Sequence, residues 1–93
     1  VVVEIVEERD TSRGWEFLAR LDTPRGPRDV VLLMSWVDCE HWSRGGAPPA
    51  DVAREVLRLL VERDGLDSLP DRFDAARLRR LHPDSDDALR DRL

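Results

Sequence analysis

Hydrophobic and polar positions along the chain change rhythm once, near residue 38. Before that point apolar residues recur at every second position. Val1, Val3 and Ile5 share one face of a first strand, which runs into the charged stretch Glu7 to Asp10. Thr11-Ser12-Arg13-Gly14 has turn chemistry. In the second strand Trp15, Phe17, Ala19 and Leu21 alternate with Glu16, Leu18, Arg20 and Asp22, so one face is apolar and the other largely wet. Thr23 to Arg28 holds two prolines, which cannot donate to a ladder, and reads as a loop. The third strand, Asp29 to about Val37, is apolar on both sides: Val30, Leu32, Met34 and Trp36 on one, Val31, Leu33 and Val37 on the other. Short connections make an antiparallel meander the simplest arrangement.

From Asp38 the period becomes helical. Asp38 to Ser43 suits one short helical turn, and Arg44-Gly45-Gly46-Ala47 interrupts it. A long helix is expected over 48–64, with Pro49 and Asp51 in its first turn and Gly65 after its last. Val52, Ala53, Val56, Leu57, Leu59, Leu60 and Val61 fill a sector of roughly 200° on that helix, too wide for one neighbour. The sheet should cover one side and the C-terminal third the other. There Asp74 reads as an N-cap, with Phe73 and Leu78 placed as a hydrophobic staple. Leu81 continues that face and Pro83 stops the helix. A last helix starts near Ser85 and carries Leu89 and Leu93. The expected fold is therefore α+β: a three-stranded antiparallel sheet over residues 1–38, one long helix, and two short helices within 74–93, in a single domain.

Composition narrows the function classes. The 93 residues suit one domain and one core. A net charge of −5 argues against nucleic acid as a partner and against adhesion to an anionic membrane. No apolar run has the length of a membrane-spanning helix, and the opening Val1 to Val6 lacks the basic flank and cleavage site of a signal peptide. With the single Cys39, this gives a cytoplasmic expectation. All 15 bases are Arg. A GC-rich coding sequence accounts for that, so Arg content by itself marks no site.

Candidate chemistry is sparse. Asp38-Cys39-Glu40-His41 gathers potential ligands, but His82 is the only other good nitrogen or sulfur donor, so neither a metal nor another cofactor is expected. A Cys two residues from its His points elsewhere in a strand or a helix, and no Gly-x-Ser-x-Gly or phosphate-binding loop is present; no catalytic residue is assigned. Arg77, Arg79 and Arg80 form a local basic spot. Trp36 belongs with the core face of its strand. For Trp42 a lid over the core is expected, the other reading being an exposed binding anchor. If helices cover only one face of the sheet, Leu18, Val31, Leu33 and Val37 form an uncovered apolar surface, a candidate interface for a protein partner or a second copy. A bulge or register shift that turns some of them inward is the competing reading.

The segment Val30 to Leu93 resembles a family of small bacterial and archaeal proteins. The features that carry it are Leu33-Met34-Ser35-Trp36 at the end of a strand, Gly45-Gly46 with Pro49, the helix Val56 to Arg63, Phe73-Asp74 and Pro83-Asp84. The resemblance implies a fold and no activity, so no functional residue is carried over. The chain departs from the family pattern in the aromatic-rich stretch Trp36 to Trp42 and in His82, where an aromatic is commoner. The expected function is a non-catalytic interaction or adaptor module that self-associates. The alternatives are a ligand-binding domain with a pocket lined by Trp36, His41 and Trp42, and a nucleic-acid binder acting through Arg77, Arg79 and Arg80.

Overall fold

The computed structural model describes all residues, 1–93. Three long strands, β1 (Val2–Asp10), β2 (Gly14–Thr23) and β3 (Gly26–Ser35), form the antiparallel meander that their period-two pattern predicts. A fourth strand corrects the three-stranded expectation. β4 (Arg72–Asp74) pairs parallel with β3, setting Val31, Leu32 and Leu33 opposite Arg72, Phe73 and Asp74. Three residues are too few to display a period, and this strand exists only because the helical connection returns the chain to the free edge of β3. The sheet order is β1-β2-β3-β4.

The helices are α1 (Trp36–Ser43), α2 (Pro49–Asp64), α3 (Ala76–Leu81) and α4 (Ser85–Arg92), with a 3-10 turn over Leu66–Ser68. β3 stops two residues before its expected end. The Ser35 hydroxyl accepts the Asp38 N–H at 3.0 Å, a side-chain cap that starts a helix at Trp36 and removes Trp36 and Val37 from the sheet. Both become exposed, at 53% and 75%, so the core placement of Trp36 and the sheet placement of Val37 are corrected.

One face of the sheet holds the core. Val3, Phe17, Ala19, Leu21, Val30, Leu32, Met34 and Phe73 pack there against the wide sector of α2, where Val52, Ala53, Val56, Leu57, Leu59 and Leu60 are all buried. Leu78 of α3, Leu89 of α4 and Trp42 of α1 close the other side of α2. Leu81 does not join them; it ends α3 just before the chain turns at His82 and Pro83, and is half exposed. Leu93, beyond the last turn of α4, is exposed as well. The N-cap of α3 is Ala75, not Asp74 as its sequence suggests, yet the Asp74 carboxylate still accepts the Ala76 N–H at 2.9 Å.

Gly14 is the one glycine whose missing side chain the sheet demands. A Cβ there would lie 2.0 Å from the Met34 carbonyl oxygen, so β2 reaches its register with β3 only with glycine at this position. β1 carries a bulge between Ile5 and Glu7, which leaves Val6 outside the ladder and moves Glu7 opposite Leu18.

Candidate functional site

The densest group of polar side chains lies where α1 meets α3 and α4. Trp42 is 1% exposed, and an indole N–H taken that deep needs an acceptor. Asp86, in the first turn of α4, provides it: Trp42 Nε1 donates to Asp86 Oδ1 at 2.8 Å. The other carboxylate oxygen is 2.8 Å from His41 Nε2. Burial pushes the Asp86 carboxyl upward, but the hydrogen bonds from His41 and Trp42, with the charges of His41 and Arg79, outweigh it and hold the group below its ordinary value. Arg90 then donates to the His41 carbonyl at 3.0 and 3.2 Å. Asp38, nearly buried, accepts from Arg79 Nη1 at 2.7 Å. The cluster fastens three short helices together where apolar contact area is scarce.

Of the predicted pocket, Trp36, His41 and Trp42, the structure brings only His41 and Trp42 together, and they meet through Asp86 rather than around a cavity. Trp36 points to solvent. The Cys39 thiol is buried; that burial raises its pKa, against a hydrogen bond with Ser43 and with a further upward push from Glu40. A thiol held protonated is a poor nucleophile. His82 is drawn to a different acid, with Nε2 2.7 Å from Asp64 Oδ1 at the end of α2, so Cys39, His41 and His82 do not converge. No three His, Cys, Asp or Glu residues are grouped to hold a metal ion. The basic spot on α3 is divided as well: Arg79 is bound to Asp38, Arg80 faces solvent, and Arg77 is half-buried.

The expected apolar surface is partly assembled. Leu18 and Val31 face each other across β2 and β3, with Leu33 two residues along, all on the side of the sheet away from the core. Each is half-buried. Arg72 of β4 reaches Glu16 of β2 at 3.1 Å, which lays its stem across β3 above these side chains, and Arg20 pairs with Asp29 at 3.0 Å on the same face. Val37 is not part of this surface. It stands beside Trp36 at the start of α1, at the end of the sheet near Arg13, whose carbonyl accepts the Trp36 N–H at 2.9 Å.

A cleft of about 680 Å³ opens between the β2–β3 turn, Thr23 to Arg28, and the end of α2 with Gly65 to Asp67. No sequence pattern singles it out, because its walls are a turn and a helix end brought together by Arg28. That side chain crosses the gap, donating to the Leu66 carbonyl at 2.6 Å, to the Leu69 carbonyl and to Asp71. The guanidinium is occupied in holding the walls.

These elements define a small α+β domain whose exposed aromatic lies at a helix start and in which two buried side-chain atoms, Asp64 Oδ2 and Arg77 Nε, have no hydrogen-bond partner. No helix is long and apolar enough to cross a membrane. No protein-family model matches the chain, and no curated protein or solved structure matches it. The functional reading rests on the geometry.

Proposed function

We propose that this domain is a non-catalytic protein-interaction module that seats Trp36 and Val37 in an apolar pocket of a protein partner. The single observation that carries the reading is the exposure of these two adjacent side chains on a rigidly held helix start. Trp36 and Val37 are fixed from below by the Ser35 cap and by the Asp38–Arg79 bridge. A large aromatic presented on a rigid mount loses little entropy on docking, and Trp is among the residues that most often dominate interfaces. The helix-free face with Leu18, Val31 and Leu33 supports the same class of function, though its charged rim leaves it less apolar than its sequence suggests. The polar cluster favours this over catalysis: His41 and Asp86 serve Trp42 and Arg90, and the buried Cys39 stands apart from them.

The test is affinity capture from native lysate with the wild-type domain and a W36A/V37S variant. Both substitutions are at exposed positions, so thermal unfolding should be nearly unchanged. A stoichiometric protein retained by the wild type and lost by the variant supports the reading. A partner retained equally by both proteins sinks it.

A further inference from the structure

Arg77 on α3 belongs neither to the polar cluster nor to the docking of Trp36. It is one of six half-buried arginines, and the other five, Arg28, Arg54, Arg58, Arg79 and Arg90, each donate to a carboxylate or a carbonyl within the fold. Arg77 forms no ion pair and no hydrogen bond, and its buried Nε has no acceptor. A guanidinium does not shed its proton, so burial leaves it charged, with donors that stay unsatisfied until an oxygen meets them.

The chain holds 20 acids, yet those flanking α3 are turned to other partners. Asp71 pairs with Arg28 and Asp84 with Arg63. Asp74 accepts the Ala76 N–H, Asp86 serves His41 and Trp42, and Asp87 lies 3.6 Å from Arg90. α3 itself carries three arginines and no acid. Of the Arg77 nitrogens only Nε is buried, so the two terminal ones reach the surface. A covered Nε fixes the direction of the fork, and a side chain already held loses little freedom when an oxyanion docks on it. Residues 77, 80 and 81 are three and four apart and share one side of the helix. Arg80 is exposed and unpaired, and Leu81 is 49% exposed. That side of α3 presents a held fork, a second cation and a bare leucine.

We infer that this face binds an acidic side chain of a protein partner, its carboxylate on the Arg77 fork beside Arg80 and an adjacent apolar residue against Leu81. Charge complementarity names the occupant. A guanidinium matches a carboxylate through two parallel hydrogen bonds, and this one has no internal carboxylate to compete. A nucleic acid would bring a run of phosphates past Asp71, Asp74, Asp84 and Asp87 on a chain of net charge −5, whereas a single carboxylate next to an aliphatic side chain uses only what the face provides. The inference shares with the proposed function the premise that the domain works by association, and it uses a different helix.

Titration of the isotope-labelled full chain with the peptide acetyl-Leu-Glu-Leu amide, followed by NMR, tests it. The Arg77 Nε–H and Leu81 methyl signals should shift together, with Kd on the order of 1 mM for so small a probe. The peptide with Gln in place of Glu should bind at least about 5-fold more weakly. Added salt should weaken only the glutamate peptide. R77M and R77Q should abolish the shift at Leu81 while their urea midpoints equal or exceed that of the wild type, because each removes an unpaired charge. W36A/V37S should titrate like the wild type. The inference is overturned by a wild-type protein that shows no saturable shift up to about 10 mM peptide, or by equal binding of the two peptides. Lower midpoints in both Arg77 variants make the guanidinium part of the fold and overturn it too. Tighter binding of inorganic phosphate or of an oligothymidylate than of the glutamate peptide assigns the fork to phosphate instead and rejects the acidic partner. Loss of the shift in W36A/V37S places the peptide on the other surface, with the same consequence. A flat titration in a protein that still captures its partner through Trp36 removes only this contact and leaves the proposed function standing.

Discussion

Removing the Asp86 carboxylate should expose what the polar cluster contributes, because its two oxygens serve donors of different kinds. Oδ1 accepts from an indole that is almost fully buried, and Oδ2 faces a half-exposed imidazole, each at 2.8 Å. In D86A the Trp42 N–H loses its acceptor where water has little access, which costs about 1–3 kcal/mol. The His41 contact is partly solvated and adds at most about 1 kcal/mol. The sum, about 1–4 kcal/mol, is a large fraction of the stability of a domain this size, and in a chain of this length it lowers Tm by roughly 5–30 °C. D86N should be milder: the amide oxygen can still accept from Trp42, and its NH₂ can donate to His41 in the tautomer that leaves Nε2 unprotonated. The discriminating experiment is a double-mutant cycle with W42F, which keeps an aromatic ring but has no N–H to orphan. Urea unfolding followed by tryptophan fluorescence and by far-UV circular dichroism gives the four stabilities. The D86A penalty should shrink by about 1–2 kcal/mol in the W42F background. A coupling below about 0.5 kcal/mol would refute the claim that Asp86 is held in α4 chiefly to satisfy Trp42.

Two further outcomes follow from the same coordinates. G14A forces a Cβ against the Met34 carbonyl at 2.0 Å, so β2 and β3 must separate at that end; a loss of about 3 kcal/mol or more is expected, read as reduced expression and a lowered urea midpoint. Because the folded-state pKa of Asp86 is depressed, the stability it contributes is present in full above the unfolded carboxylate value of about 4 and is lost as pH falls through the folded value. Urea midpoints measured from pH 6 down to pH 3 should therefore fall less steeply in D86N than in the wild type, and parallel curves would show that the group does not carry that part of the acid response.

Much of the architecture was legible from periodicity. The alternation of Trp15 to Leu21, the sector Val52 to Leu60, and the stop at Gly65 each reflect a local rule, and each appears where that rule puts it. The errors gather at the end of β3. A run that is apolar on both faces, Val30 to Val37, carries no internal mark of where it stops being a strand; Ser35 supplied the signal, as a side chain able to cap a helix three residues later. Without that cap Trp36 reads as a core residue of the strand, whereas it is exposed at the start of α1. The apolar sheet face was legible as a set of alternating positions, but its cover by the Arg72–Glu16 pair depends on β4, which no pattern announces.

The chain alone determined which stretches become strands and helices and which sides of them avoid water, since those follow from residue size, branching and spacing within a few positions. Contacts between residues far apart in sequence were decided only on folding: the parallel return of β4 to β3, the meeting of Trp42 with Asp86 across 44 positions, the separation of Cys39, His41 and His82, and the unpartnered Nε of Arg77. The reason is physical. A local pattern specifies how much surface an element must bury, whereas the identity of the neighbour that buries it depends on the shape and charge of every other element competing for the same space.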